Sequence, residues 1–287
     1  MDQLGFVGLG DMGAPMAANL SRGGFRLTVY DKAGTANRAP SGVDVGTSMS
    51  DVAHAAHVVF VSVPDAPALL EVALALVAVE DRQTQTLVNL STVGIEATRS
   101  IVQALADTGV DYVDAPVSGG RAGAIRGTVT IMWSGSAERM DSLSPELDSF
   151  AGSVFFVGTV PGQGQAMKLL NNYLSAIAMT ATSEAITFGL RHGLDMKTML
   201  DVINASTGQN SATQDKFPNR VLTSTYDAGF RMALMEKDVA LYLSEAENAG
   251  APVSLCERVA TYWKKGMKQF PDGDFTEIYK VIHEEVD

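Results

Sequence analysis

A lysine and an asparagine four residues apart are the side chains of this chain best suited to take part in a reaction. Lys168 and Asn172 lie in a stretch rich in Ala, Leu and Met that runs without glycine or proline from Gly164 to Gly189. Such residues favour helix, so we predict a long helix, buried on nearly all sides, with both polar side chains on one face. Burial lowers the pKa of an amine towards neutrality, which suits proton transfer. The alternative is that Lys168 pairs with a structural acid.

A glycine-rich turn near the start of the chain indicates a second kind of chemistry. A short apolar strand, Leu4–Val7, precedes the turn, and a helical run begins at Ala14. The residues assigned to the turn are Gly8, Gly10, Asp11, Met12 and Gly13. In a dinucleotide-binding turn the first glycine permits the sharp bend, the second admits the pyrophosphate, and the third lets helix and strand pack closely. The alternative is a glycine-rich turn that binds nothing.

An acidic residue follows the second predicted strand, Arg26–Tyr30. Asp31 comes 23 residues after Gly8, where a carboxylate accepts hydrogen bonds from the adenosine ribose hydroxyls. A carboxylate there repels a 2′-phosphate, so the sequence predicts NAD rather than NADP. Lys32 could soften this preference, although a solvated loop position is the simpler interpretation.

Polar residues end the next two predicted strands. The apolar runs His57–Val63 and Thr86–Leu90 are typical of a parallel sheet covered on both faces. The polar residues that follow them include Pro64, Asp65, Ser91 and Thr92. Ligands of open α/β sheets bind beyond the carboxyl ends of strands, so these positions are candidates to contact cofactor or substrate. The alternative for Ser91 or Thr92 is to cap a helix.

Two adjacent glycines follow the predicted strand Asp111–Val117. Gly119 and Gly120 stand between Ser118 and Arg121, and such a turn presents backbone N–H groups that suit a carboxylate or a phosphate. A tight turn that requires positive φ is an equally good interpretation. Arg121 could bind a second acidic group or could be an exposed loop charge.

The pattern of elements predicts an α/β Rossmann-type doubly wound sheet followed by an all-α domain. We place the cofactor domain at 1–161 and a helical substrate and oligomerisation domain at 162–287, joined by an interdomain helix at 162–191. In the first domain, two last strands, Thr128–Trp133 and Ser153–Val157, flank one helix, Ala137–Phe150. Helical periodicity predicts three longer helices and a short last one, with breaks that include Pro218. Those helices are Asp195–Asn204, Met232–Ala249, Val253–Met267 and Thr276–Ile282.

Composition narrows the classes of partner and site. The net charge of −12 without a basic stripe argues against nucleic acid, and the polar residues of the longest apolar run argue against a membrane span. The single cysteine, Cys256, excludes an internal disulfide and is expected in the core. The four histidines lack metal-ligand spacing, so no metal site is expected. Strand-like sequence close to Met1 leads us to expect no signal peptide and a cytoplasmic protein.

Four separated segments together resemble the β-hydroxyacid dehydrogenase family, in particular its 3-hydroxyisobutyrate dehydrogenase group, over essentially the whole chain. They are Gly5–Gly13 with Ala18-Asn19-Leu20, Asp114–Gly120, Gly162-Gln163-Gly164 with Lys168, Asn171 and Asn172, and Lys237-Asp238.

The resemblance implies roles for individual residues. Lys168 would be the general acid/base. Residues implied to bind the substrate are Ser118, Gly119, Gly120 and Asn172, and Arg121, next to this turn, stays the further candidate given above. Residues implied to bind the cofactor, NAD with NADP as the alternative, are Gly8, Gly10, Asp11, Met12, Gly13, Thr92 and Lys237, which join Asp31 and Pro64, the candidates from the strand ends. The resemblance also implies a homodimer or homotetramer.

The implied activity is hydride transfer between NAD(P) and the carbinol carbon of a small β-hydroxy acid. The alternatives are a reductase of short aldehydo acids, such as glyoxylate, succinic semialdehyde or a sulfo-aldehyde, and a non-catalytic NAD-binding interaction module. Two segments depart from the family pattern. Asn89-Leu90-Ser91 stands where Asp-Met/Cys-Ser is frequent, and Thr207–Thr213 lacks a common aromatic residue, which favours a more polar pocket.

Overall fold

The chain divides into two compact units, Met1–Lys168 and Leu169–Asp287. The computed structural model describes residues 3–284 of the chain. The division falls inside one helix, α8 (Gln163–Arg191), and therefore later in the chain than residue 161. The roles that the sequence suggests for the two domains stay predictions.

The first unit is built on one sheet whose strands run parallel over most of its width. In chain order the strands are β1 Leu4–Val7, β2 Leu27–Tyr30, β3 Asp44–Val45, β4 Val58–Val61, β5 Thr86–Asn89, β6 Asp111–Asp114, β7 Val117–Ser118, β8 Val129–Ser134 and β9 Ala151–Gly158. Their order in the sheet is β3-β2-β1-β4-β5-β6-β8-β7, with β9 paired to β8. The order reverses between β1 and β4, and open α/β sheets bind ligands at such a switch point.

The far edge of the sheet is mixed, which the sequence did not predict. Strand β8 is antiparallel to both β6 and β7 and parallel to β9. The predicted strand Asp111–Val117 is divided into β6 and β7 around Pro116. Proline has no backbone N–H and cannot continue a ladder of strand hydrogen bonds.

Helices cover both faces of this sheet. They are α1 Gly13–Arg22, α2 Met49–Ala55, α3 Ala66–Val77, α4 Ile95–Leu105, α5 Gly120–Arg126, α6 Ala137–Ser142 and α7 Ser144–Phe150. Alternate residues of a strand enter opposite cores, as the period of two requires. In β4, Phe60 packs with Phe6 and Phe150, whereas Val59 and Val61 belong to the other core. This arrangement confirms the predicted doubly wound class.

One predicted helix of this unit is two helices. The stretch Ala137–Phe150 is interrupted between α6 and α7 at Leu143, and Pro145 lies in the first turn of α7. Proline is tolerated in a first helical turn, where its missing N–H has no intrahelical partner, but it breaks a helix interior.

The second unit is all-helical, as predicted. Besides the larger part of α8, it contains α9 Met196–Asn204, a π-helix Ala212–Val221, α10 Met232–Asn248, α11 Ser254–Gln269, a short 3-10 turn Phe275–Glu277 and α12 Ile278–Glu284. Cys256 is buried in its core, and burial raises the pKa of the thiol to about 11. Across residues 3–284, no helix has both the length and the apolar character needed to cross a membrane.

The expectation that α8 is buried on nearly all sides was wrong. A stripe along the helix is exposed in the single chain, and it includes Leu170, Leu174 and Phe188. These residues recur at intervals close to whole helical turns, so they share one side of the helix. The apolar composition of α8 therefore does not correspond to complete burial within one chain.

The predicted break at Pro218 was also wrong, because Pro218 lies inside the π-helix Ala212–Val221. In a π-helix each N–H bonds to the carbonyl five residues earlier, and proline cannot supply that donor. The carbonyl left without it, Thr213 O, accepts a hydrogen bond from Asn204 Nδ2 at 2.8 Å. A side chain of α9 thus replaces the missing backbone donor and lets the helix pass through the proline.

Candidate active site

The glycine-rich turn joins β1 to α1 at the switch point of the sheet. Gly8 has φ of 89°, a value that favours glycine, and its N–H donates to Tyr30 O at 2.9 Å. Gly10 and Asp11 are exposed, and Met12, which is half-buried, directly precedes α1. The five turn residues predicted from the sequence are therefore at the carboxyl edge of β1.

The turn fits a dinucleotide on structural grounds. Helix α1 has no side-chain cap and no acidic residue in its first turn, which leaves its N-terminal charge to an anion. A β-carbon placed on Gly10 would have nothing within 4 Å, whereas one on Gly13 would lie 1.9 Å from Gly8 O. Gly13 is thus required by the protein's own packing, while the space beside Gly10 is open to a ligand.

Asp31 is held against the glycine turn. Its Oδ2 accepts the N–H of Leu9 at 2.7 Å, its Oδ1 accepts that of Ala33 at 2.8 Å, and the guanidinium of Arg38 lies 3.8 Å from Oδ2. The carboxylate therefore has a fixed orientation at the end of β2. Lys32 is exposed and forms an ion pair with Glu71 at 2.6 Å. This agrees with the simpler of the two interpretations given above, in which Lys32 is a solvated loop residue.

Replacing Asp31 with Ser is expected to move cofactor preference towards NADP. The substitution removes a charged acceptor for the ribose hydroxyls and leaves Arg38 nearby for a 2′-phosphate. Hydrogen bonds to charged groups contribute about 1.5–3 kcal/mol, so the ratio of kcat/KM for NAD to that for NADP should fall about 10- to 100-fold. The matched control, Asp44→Asn, removes an exposed acidic charge from neighbouring β3 and should leave the ratio unchanged. An unchanged ratio in Asp31→Ser would contradict the assignment.

The polar residues after β4 and β5 differ in their local roles. Asp65 caps α3 by accepting the N–H of Ala68 at 2.9 Å, and Pro64 is exposed beside it. Ser91 is buried, and its Oγ accepts the N–H of Val63 at 2.9 Å, so it ties two strand ends together. The residue directly before α4 is Gly94. Contacts of Pro64 and Thr92 with a cofactor stay predictions.

A buried carboxylate without a role in the sequence analysis, Asp114, lies at the end of β6. Asp114 Oδ2 accepts the N–H groups of Gly162 at 3.1 Å and Gln165 at 2.9 Å, and its Oδ1 accepts Gln165 Nε2 at 2.5 Å. Burial raises the pKa of Asp114 to about 6, and the hydrogen bonds from Gln165, Gly162 and Ser134 limit the rise. The only sequence signal was an acidic residue at the end of an apolar strand.

The raised pKa of Asp114 predicts a specific dependence of stability on pH. Because the folded chain binds this proton more tightly than the unfolded chain, the contribution to stability is complete below pH 3.8 and is lost as pH rises through about 6. The loss is about 3 kcal/mol. The free energy of unfolding, measured from pH 4 to 7.5, should therefore fall for the wild type relative to Asp114→Asn by about that amount. A difference that stays constant with pH would contradict the prediction.

The turn predicted to anchor a carboxylate connects β7 to α5. Gly119 and Gly120 have φ of 130° and 61°, so both positions favour glycine, as the tight-turn interpretation requires. Ser118 is half-buried at the end of β7, and Arg121 is exposed in the first turn of α5. Carboxylate binding by this turn and by Arg121 stays a prediction.

Within the second unit, Asn172 is bound to the Lys-Asp pair singled out from the sequence. Asn172 Nδ2 donates to Asp238 Oδ2 at 2.5 Å, and both side chains are buried. Lys237 Nζ lies 3.1 Å from Asp238 Oδ1 and forms an ion pair with it. Two residues predicted separately, one for substrate and one for cofactor, are thus connected through Asp238.

A cavity of about 580 Å³ in the second unit is bordered by α8 and the segment that enters the π-helix. Its lining includes Asn171, Ser175, Asn210, Ser211 and Lys216. The side chain of Asn210 is occupied internally, because its Oδ1 accepts the N–H groups of Ala212 and Thr213 at 2.8 and 3.1 Å. Asn210 therefore caps the π-helix. The cavity lining also includes the apolar residues Leu174, Ile177, Ala178 and Ala181, and the more polar substrate pocket expected from the missing aromatic residue stays a prediction.

Lys168, the side chain predicted to transfer a proton, is 7% exposed on α8. Asn172 follows it by one helical turn, so the two side chains leave the helix on the same side. Sequence reasoning missed the contacts of Asp114, Ser134 and Gln165 at the start of α8 and the hydrogen bond between Asn172 and Asp238.

Comparisons with known proteins agree with this geometry. Residues 3–158 match the family model for the NAD binding domain of 6-phosphogluconate dehydrogenase, and residues 162–282 match a model described as NAD-binding of NADP-dependent 3-hydroxyisobutyrate dehydrogenase. The predicted cofactor class, NAD with NADP as the alternative, is confirmed.

Three similar proteins span nearly the same length. A 2-(hydroxymethyl)glutarate dehydrogenase of Eubacterium barkeri is 31% identical over 92% of this chain and 89% of its own. An NAD-dependent L-serine dehydrogenase of Pseudomonas aeruginosa is 32% identical over 98% of both chains. A solved structure of Mycobacterium tuberculosis 3-hydroxyisobutyrate dehydrogenase with L-serine superimposes with a TM-score of 0.90 at 28% identity, covering 98% of this chain and 99% of the other.

Proposed function

Because the chain belongs to the β-hydroxyacid dehydrogenase family and is an NAD(P)-dependent oxidoreductase of a hydroxyacid, we propose that it oxidises the alcohol of a small β-hydroxy acid with Lys168 as the general acid/base. The observation that carries the proposal is a buried lysine on α8, one turn before an asparagine that Asp238 holds in place. A bound nicotinamide would supply the hydride acceptor for oxidation and the donor for reduction.

The protein's own side chains have distinct parts in this proposal. As the C–H bond loses its hydride, Lys168 Nζ takes the proton of the substrate hydroxyl, and in reduction it returns that proton. Asn172 donates a hydrogen bond that orients the substrate or Lys168. The turn Ser118–Gly120 receives the carboxylate through its backbone N–H groups.

The cofactor would be held at the carboxyl edge of the first unit's sheet. The open space at Gly10 and the uncapped start of α1 suit the pyrophosphate, and Asp31 suits the ribose. Pro64, at the carboxyl end of β4, is a further candidate contact, and the family resemblance adds Thr92 and Lys237. We also propose a homodimer or homotetramer, which the exposed apolar stripe of α8 supports.

The test is a substrate panel assayed in both directions. Oxidation of L-serine, 3-hydroxyisobutyrate, 3-hydroxypropionate and 2-(hydroxymethyl)glutarate is followed with NAD and with NADP. Reduction of glyoxylate and succinic semialdehyde is followed with the reduced cofactors. We expect the highest kcat/KM for a β-hydroxy acid with NAD. A markedly higher kcat/KM for reduction of glyoxylate or succinic semialdehyde, neither of which is an oxidation product of the hydroxy acids in the panel, would favour the reductase. NAD binding without any turnover would favour a non-catalytic module.

A further inference from the structure

The amide of Gln165 uses every hydrogen bond that it can form. It is 0% exposed in the first turn of α8. Its Oε1 accepts the N–H groups of Val93 at 2.8 Å and Gly94 at 3.1 Å, and its Nε2 donates to Ser91 O at 3.0 Å and Asp114 Oδ1 at 2.5 Å. A glutamine amide offers two acceptor and two donor sites. A buried group with all its partners present has one orientation, so this side chain fixes α8 to the segment after β5.

The start of α8 is capped by the sheet. The first N–H groups of a helix have no partner inside the helix. Here those of Gly162 and Gln165 donate to Asp114 Oδ2, and that of Gly164 donates to Ser134 Oγ at 2.9 Å. Asp114 and Ser134 are paired across β6 and β8. The position of the first turn of α8 is therefore set by two strands of the sheet.

The fit at this turn leaves no room for displacement towards the sheet. A β-carbon on Gly164 would lie 2.6 Å from Met132 O and 2.9 Å from Asp114 Oδ2. Helix and sheet are thus closer here than any side chain would allow. The hydrogen bonds and the packing specify the same position.

This fixed turn connects two places where the proposed chemistry occurs. Lys168 comes three residues after Gln165, and the segment Ser91–Gly94 follows β5 at the edge where open α/β sheets bind ligands. We propose that Gln165 and Asp114 are positioning residues, which hold the turn that carries Lys168 at a set distance from Ser91–Gly94, and that the catalytic rate depends on this distance. The inference rests on the proposed function. A misplacement of about 1 Å can reduce a rate about 100-fold.

A pair of compensating substitutions tests the proposal. In Gln165→Glu, a carboxylate oxygen replaces the Nε2 donor, so two acceptors face each other at Asp114 Oδ1. In Asp114→Asn, the new amide N–H faces Gln165 Nε2, so two donors face each other. Each single variant should lose about 100-fold in kcat, with KM changed less than about threefold. The double variant restores one donor opposite one acceptor, with the carboxylate and the amide exchanged. It should recover kcat to within about tenfold of the wild type.

The matched control is Gln163→Glu, which adds the same charge to the same turn at an exposed position whose Oε1 only accepts the N–H of Val160. It should keep wild-type kcat. The positioning role would be overturned if the single variants showed a raised KM or a lower thermal stability with unchanged kcat. It would also be overturned if the double variant had a kcat no higher than that of either single variant.

Amide hydrogen exchange gives a readout that does not depend on turnover. Gln165→Met removes the acceptor for Val93 and Gly94, whose amides should exchange at least about tenfold faster while the other strands keep their protection. Unchanged exchange at these two amides would overturn the inference even in an active enzyme. If no acid in the panel is turned over by the wild type, the proposed function fails and the catalytic dependence fails with it.

Discussion

Replacing Lys168 with Ala should reduce kcat about 100- to 10,000-fold on the best substrate of the panel, the range associated with loss of a general acid/base. The side chain is almost completely buried on α8, one turn before Asn172, so water has little access with which to replace it. The glycine turn and Asp31 belong to other elements, and the dissociation constant for NAD should change less than about threefold. Steady-state kinetics and an NAD titration measure both quantities.

Two further variants separate proton transfer from charge. Lys168→Arg keeps the positive charge but cannot release a proton near neutral pH, so it should be as impaired as Lys168→Ala. Lys268→Ala removes an exposed lysine of α11 and should retain wild-type kinetics. Added primary amines should restore part of the activity of Lys168→Ala. A kcat within threefold of the wild type in Lys168→Ala would contradict the proposed role.

Features coded within a short stretch of chain were predictable from the sequence. The glycine turn and Asp31 lie within 23 residues, and their spacing follows from one strand, one helix and the next strand. The fold class was predictable for the same reason, because apolar strands alternate with helices along the first part of the chain. The glycine turn and Asp31 then meet through the N–H of Leu9, because β1 and β2 are neighbours in the sheet.

Features that depend on distant partners were not predictable. Asp114 and Gln165 are 51 residues apart, and Asn172 and Asp238 are 66 apart, so neither hydrogen bond leaves a local pattern. The π-helix through Pro218 has a different cause: its missing backbone donor is replaced by the side chain of Asn204, which no helix or proline pattern indicates. The two long-range contacts hold Asn172 and the first turn of α8 in place, whereas local spacing only identifies the residues.

The glycines at 10 and 13 should respond to alanine in opposite ways. In Gly13→Ala the new β-carbon would lie 1.9 Å from Gly8 O, so the backbone of β1 and α1 must separate. Overpacking of this kind costs about 3 kcal/mol, which corresponds to a fall in Tm of about 6–12 °C for a unit of this size. In Gly10→Ala the β-carbon meets no protein atom within 4 Å, and φ at this position is not positive, so Tm should stay unchanged.

Gly10→Ala, which should leave Tm unchanged, is the variant expected to weaken NAD binding. The space beside Gly10 is where the pyrophosphate approaches the backbone, so Gly10→Ala should weaken NAD binding at least about tenfold, or 1.4 kcal/mol, in a fully folded protein. Thermal denaturation with and without NAD measures both effects. Gly24→Ala, at a turn outside the site where an added β-carbon also meets nothing within 4 Å, checks that a glycine-to-alanine change alone does not alter NAD binding. If Gly10→Ala binds NAD as tightly as the wild type, the pyrophosphate does not lie against this turn. A loss of Tm in Gly10→Ala equal to that in Gly13→Ala would mean instead that both glycines serve packing, and the turn would lose its strongest structural link to the cofactor.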